Sequence, residues 1–207
     1  MGKRTASTGK MRFFMLDTLG DQDDPDLCVL GRFIKGIEMD AWRVGDGERV
    51  GDLLPKDARI DMDKENLGIQ LSSLLGNTRN MLIVHKDLKD LIQKHAGDEQ
   101  VEYLPFTVYD HRKRAHGRDY FIINPLGTFD CLDFEASTLR RGRENPERIS
   151  DVLEHVLDRK KMKAAPPIFR VDKDSSTYVL GYELAKEISQ GDFTNVFVTE
   201  LPFSDEA

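Results

Sequence analysis

Two stretches of this chain repeat one another, and a repeat limits the possible folds more than any single motif. Met81-Leu82-Ile83-Val84 reads as a strand leading into Asp87–Ala96, whose Leu88, Leu91 and Ile92 share one helical face. Gly97 sits where a helix C-cap glycine belongs, and Val101–Tyr109 follows as a strand. Near the C-terminus Tyr178-Val179-Leu180 leads into Tyr182–Gln190, with Leu184 and Ile188 on one face, Gly191 after it, and then Asn195–Phe203. With Val84 laid on Leu180, Leu88 falls on Leu184 and Ile92 on Ile188; one inserted residue later, Leu104-Pro105-Phe106 falls on Leu201-Pro202-Phe203. The correspondence reads as an internal strand–helix–strand duplication. Each helix has one apolar stripe to cover, and the economical solution packs both on one shared sheet. The expected class is α+β: a mixed, mainly antiparallel sheet with helices packed on it.

Between the copies, Tyr120-Phe121-Ile122-Ile123 is a dense aromatic and β-branched run that reads as a strand buried on both faces. Pro125 and Gly127 then force a turn, and Phe129–Phe134 reads as the returning strand of a central hairpin over Asp119–Phe134. Pro105 implies an edge or a bulge in its strand. Asp110–Arg118 reads as a basic loop between strands and Ser137–Glu147 as a polar connection. The spacing of Ile149, Val152, Leu153, Val156 and Leu157 predicts a helix, and Ile168–Val171 a strand.

The N-terminal third is less regular. Residues 1–10 are polar, lack an apolar period and read as a disordered tail. Met11–Asp17 reads as a strand, and Asp17–Asp26 as an acidic loop with five aspartates. Trp42 stands beside Gly45-Asp46-Gly47, read as a hairpin tip, and is weighted towards half-buried core. Leu67–Leu75 reads as a short helix or irregular segment. The expected division is a tail (1–10), a variable N-terminal portion (11–78) and an α+β domain (79–207).

Composition removes several function classes. A net charge of −7 on 207 residues argues against a general nucleic-acid binder, whose affinity comes from neutralising phosphates. It fits solubility and, more sharply, capture of a basic partner. No apolar run approaches a membrane span and no signal peptide is visible, so no membrane association is expected. Two cysteines, Cys28 and Cys131, lie far apart and read as reduced thiols of a cytoplasmic protein.

Catalytic constellations are poor. Asp130, Asp133 and Glu135 are the best candidates for a magnesium-dependent hydrolase, but no lysine or histidine stands at a useful spacing beside them. His111 and His116 lack a third ligand, and Ser72, Ser73, Ser137 and Cys131 lack a nucleophile's setting. The aspartates of 17–26 and of 61–65 lack the glycine and distal acid of a calcium loop. No cofactor is expected. Asp21, Asp23, Asp24 and Asp26, with Trp42, are the candidate partner-contact residues.

Val101-Glu102-Tyr103-Leu104-Pro105-Phe106, Tyr120-Phe121-Ile122-Ile123-Asn124, Asp130-Cys131-Leu132-Asp133 with Ser137, Ile168-Phe169-Arg170 and the closing helix and strand through Glu200-Leu201 together resemble a family of bacterial immunity proteins from polymorphic-toxin systems. The resemblance covers roughly residues 79–203, with weaker support from Met11–Leu16. It implies a small soluble protein that neutralises a cognate toxin by binding it, without catalytic residues. It also implies an extended segment around Leu153–Met162, against the helical spacing read there. The competing functions are the magnesium-dependent hydrolase and a regulatory protein-binding module; self-association stays open.

Overall fold

A computed structural model describes residues 11–205 apart from 144 and 146; the tail expected over 1–10 lies outside them. The chain forms β1 (Phe13–Leu16), β2 (Val29–Lys35), α1 (Ala41–Gly45), β3 (Arg59–Met62), β4 (Gly76–Asn77), β5 (Leu82–His85), α2 (Lys86–Ala96), β6 (Val101–Tyr109) and β7 (Ala115–Pro125). There follow β8 (Thr138–Arg141), β9 (Ile149–Glu154), a 3-10 turn at Lys161–Ala164, β10 (Ile168–Val171), β11 (Asp174–Gly181), α3 (Tyr182–Gln190) and β12 (Val198–Glu200). Six strands make one sheet in the order β4-β2-β3-β6-β7-β5, four make another in the order β10-β11-β1-β12, and β8 and β9 pair alone. The α+β class holds, with the sheets mixed and mainly antiparallel.

The two strand–helix–strand units, read from the sequence as copies, each cross one intervening strand. β5 and β6 both pair antiparallel with β7, so α2 carries the chain across one intervening strand. β11 and β12 both pair antiparallel with β1, and α3 makes the same crossing. The shared sheet expected for them does not exist: each unit has its own. Both helix stripes nevertheless enter one core, where Leu88 and Ile92 meet Leu184 and Ile188 beside Leu82, Val84, Ile123, Ile168, Tyr178 and Leu180. Lys94 and His95 at the end of α2 reach Glu187 of α3 at 2.7 and 3.2 Å.

The period-two alternation of strands divides the remaining apolar residues between two further cores. Tyr120 and Ile122 of β7 pack with Leu104, Phe106 and Val108 on the far side of the large sheet, against Val44, Val50 and Ile60. Phe13, Phe169, Val171 and Val179 leave the small sheet on its far side, where Cys131, Leu132, Val152, Leu157, Met162 and Phe203 cover them. Both sheets are therefore buried on two faces, as the apolar density of Tyr120–Ile123 required.

Three local readings change. The hairpin partner of β7 is β6, joined through the Asp110–Arg114 turn, and β5 occupies its other side, so no edge remains for Phe129–Phe134. The chain turns at Gly127 (φ +69°) and crosses to the small sheet, where Phe129 bridges Val171 and Leu132 bridges Leu157. Residues 149–154 are a strand paired with β8, not a helix, which also ends the polar connection at Ser137. The apolar spacing misled because it spans two environments: Ile149 and Val152 face a core, Leu153 is exposed, and Leu157 lies beyond the strand, bridging Leu132 and Phe203. Trp42 is on a helix, with Gly45 as its last residue and Gly47 (φ +72°) against Gly127, so no hairpin tip forms there. Leu67–Leu75 takes the irregular of its two expected forms, with single bridges at Gln70 and Leu74. Pro105 keeps its expected place, because β3 pairs with β6 only from Thr107 onward and leaves the proline at a local edge.

Candidate functional site

The acidic loop joins β1 to β2, and its aspartates hold the loop's own backbone. Asp21 Oδ1 accepts from the N–H of Asp23 and Asp24 Oδ1 from that of Asp26, both at 3.0 Å. The loop is fastened to the far end of the chain, where Asn195 Oδ1 accepts from the Asp21 N–H at 2.6 Å. Asp21, Asp23 and Asp24 line an open cavity of about 460 Å³ together with Asn66, Asn77 and Thr78. The Asp26 carbonyl accepts from Gln70 N–H, and its side chain stays exposed outside that cavity.

Trp42 is 51% exposed, so the weight given to a core role was misplaced. Ala41 and Val44 bury one side of α1, which turns the indole outward. It lines a cleft of about 210 Å³ with Arg79, Asn80 and Arg170. Between this cleft and the acidic cavity runs the turn 77–81. The Asn77 carboxamide closes it, accepting from Arg79 and Met81 N–H and donating to Met81 O at 2.7 Å. Asp21, Asp23 and Asp24 on one side and Trp42 on the other, apart in sequence, thus flank one turn. A third depression, of about 960 Å³ between β2 and β3, meets the acidic cavity at Asn66 and Thr78.

Two of the three carboxylates weighed for catalysis are already engaged. Asp130 Oδ1 accepts from Lys161 Nζ at 2.8 Å, and Asp133 Oδ1 accepts from the N–H groups of Glu135 and Ala136. Hydrogen bonds from the Ser204 hydroxyl and then from those backbone groups hold Asp133 below the usual carboxyl range. None of the three lies on a strand, and no group of three or more His, Cys, Asp or Glu side chains among the described residues is placed to hold a metal ion. His116 Nε2 is 2.9 Å from Ile69 O. Cys28 and Cys131 are both free and buried.

One polar constellation escaped the sequence reading. Arg170 is fully buried, and no carboxylate among the described residues touches it. Its Nε–H donates to Pro125 O (3.2 Å), Nη1 to Ser175 O (2.6 Å) and Gly45 O (3.4 Å), and Nη2 to Val44 O (2.8 Å) and Asn124 Oδ1 (3.3 Å). The Tyr178 ring lies 4.3 Å from the guanidinium carbon. All five donors are used, two of them on carbonyls at the C-terminal end of α1, where the backbone dipole favours a cation. Asn124 completes the relay, giving its Nδ2–H to Glu48 O at 2.8 Å and to Glu102 Oε2 at 3.1 Å. Glu102 in turn accepts from the N–H groups of Val50 and Gly51 at 2.9 and 3.0 Å. A signal was present: Arg170 shares a strand face with Ile168, so it had to point inward. Glu102, Asn124 and Arg170 all belong to the stretches that carry the family resemblance, and here they form one network.

No helix among the described residues is long and apolar enough to cross a membrane. A search of curated proteins finds no match to the chain. A scan against family models matches residues 36–200, ahead of the start of the resemblance at 79, to one described as "Immunity protein family (Imm11)". That match spans most of the chain, and the protein belongs to this immunity protein family.

Proposed function

We propose that this chain is a non-catalytic, cytoplasmic immunity protein of a bacterial polymorphic-toxin system. It neutralises a cognate toxin domain by covering it. The contact surface comprises Asp21, Asp23, Asp24 and Asp26 with Trp42, on the two sides of the 77–81 turn, within the variable portion 11–78. One observation carries this reading: of the nine large apolar side chains exposed among the described residues, six fall between Phe33 and Ile69. Exposed apolar residues scattered singly need no explanation, and their concentration in this stretch supports placing the contact surface within it. Glu102, Asn124 and Arg170, from the stretches that carry the resemblance, are buried and bonded largely to backbone groups, which supports a scaffold role for them.

The test is capture of the toxin domain that this reading expects to be encoded beside this protein. Neutralising Asp21, Asp23, Asp24 and Asp26 together to Asn should slow association at low salt, and the native on-rate should fall steeply with added salt. Trp42→Ala should raise Kd by roughly tenfold or more, as loss of an anchor does. An on-rate indifferent to salt removes the charge-steered mechanism. Micromolar magnesium binding lost in Asp133→Asn would overturn the non-catalytic reading in favour of the hydrolase.

A further inference from the structure

The acidic cavity opens onto a depression of the opposite character. Between Leu30↔Met62 and Ile34↔Ile60 the β2–β3 register slips, so Gly31, Arg32 and Phe33 stand opposite Asp61 alone. Such a bulge re-aims side chains, and here Arg32 and Phe33 are turned to solvent. Beyond Leu30 the outer edge of β2 has no neighbouring strand among the described residues, because β4 ends at Asn77. The depression is lined by Arg32, Phe33, Lys35, Arg59, Lys64 and Lys113, with Asp61, Asp63 and Glu65 among them.

The charges there are unequally spent. Asp61 is paired with Lys113 at 2.8 Å. Asp63 accepts from Glu65 N–H and from Asn66 Nδ2 at 3.0 and 2.9 Å. Arg32 lies over the Phe33 ring at 4.6 Å and Arg59 over the Tyr109 ring at 4.8 Å, and neither has a carboxylate partner among the described residues. A guanidinium stacked through its flat face keeps its N–H edge available, and that edge matches a carboxylate with two parallel hydrogen bonds.

We infer that the β2–β3 groove receives an extended, carboxylate-bearing segment of the toxin, with Arg32 and Arg59 as its carboxylate clamps. The inference rests on the toxin-binding reading and adds a second, oppositely charged half to that surface. Carboxylates fit better than a nucleic-acid strand. Asp61, Asp63 and Glu65 line the groove and the chain is acidic overall, so a ligand with a phosphate at every step is repelled. A peptide with acids at alternate positions presents them along one face only, opposite an apolar face that suits Phe33.

The probe is a fluorescent peptide of alternating glutamate and valine, read by anisotropy at low salt beside an oligothymidylate of similar length. The native chain should bind the peptide, and Arg32→Gln and Arg59→Gln should each weaken it roughly tenfold. Arg118→Gln, outside the groove, should change nothing. Preferential binding of the oligothymidylate, or peptide binding unaffected by both groove variants, overturns the inference. With the toxin itself, equal capture by the native chain and the Arg32→Gln/Arg59→Gln chain sinks the groove alone and leaves toxin binding standing. No capture by the native chain takes down both.

Discussion

Replacing Arg170 by Met tests whether the buried guanidinium holds the fold together. The substitution keeps side-chain length and removes five donors. Three of the acceptors left behind, Val44 O, Pro125 O and Asn124 Oδ1, are bonded deep inside. Each costs about 1–3 kcal/mol when stranded. The other two, Gly45 O and Ser175 O, make part-buried bonds beside the Trp42 cleft, where water can take the place of Nη1 once the side chain is gone. Opposing this loss, removing an arginine without a carboxylate partner recovers several kcal/mol of desolvation. With the middle of that loss, about 6 kcal/mol for three acceptors, set against about 3 kcal/mol recovered, the net cost is about 3 kcal/mol, and at about 2–4 °C per kcal/mol for a chain of this size Tm falls by about 6–12 °C.

The assay is built into the chain, because Trp42 is its single tryptophan and sits on the helix whose end Arg170 grips. Thermal and urea melts followed by Trp42 fluorescence and by far-UV circular dichroism should shift together, and native-state anisotropy of Trp42 should drop. Arg170→Lys should not rescue: it keeps the charge but offers three donors to five acceptors. Glu102→Gln combined with Arg170→Met should be non-additive, since Asn124 joins them. A Tm loss under about 3 °C, the range of an ordinary surface substitution, would refute the reasoning.

Two further outcomes follow from protonation. Burial pushes the thiols of Cys28 and Cys131 up to about 12, so both should resist thiol reagents in the native state and react fully once unfolded; rapid native labelling of either contradicts their placement. Burial also works to raise the Asp174 carboxyl, but hydrogen bonds from His155, Thr177 and Ser176 outweigh it and leave it below its ordinary value of 3.8. Ionised Asp174 therefore stabilises the fold above that value, and the contribution is lost as pH falls through the lower folded value. The stability gap between native and Asp174→Asn chains should be full at neutral pH and close on acidification, so a gap constant down to acid pH contradicts the pairing.

The strand–helix–strand units were legible because each pairs a strand-dense run with a helix stripe and a glycine stop, all within a short stretch of chain. What escaped was long-range pairing. Nothing local in Phe129–Phe134 says that β5 and β6 already occupy both sides of β7. Likewise, the apolar spacing of 149–157 satisfies a helix unless Thr138–Arg141 is known to lie beside it. For the candidate surface, the acidic loop could be read from composition alone. The exposure of Trp42 could not, because it depends on Ala41 and Val44 burying the opposite side of a five-residue helix. The Arg32–Arg59 groove was invisible for a similar reason: it arises from a register slip, which only the partner strand defines.

The buried network also bears on how such a surface can change while its support stays fixed. Between residues 44 and 51, the C-terminal scaffold takes hold of main-chain groups. Arg170 binds the carbonyls of Val44 and Gly45, Asn124 binds the carbonyl of Glu48, and Glu102 binds the N–H groups of Val50 and Gly51. The side-chain ion pair in this set is Arg49 with Glu102 at 3.6 Å, and Arg49 is largely exposed. Backbone groups are present whatever the side chain, so an outward residue such as Trp42 can be exchanged without loosening the grip beneath it. A protein that must match one particular toxin gains from that arrangement. On the proposed reading, recognition is written in side chains that the fold does not need, while Glu102, Asn124 and Arg170 hold the main chain beneath the proposed surface.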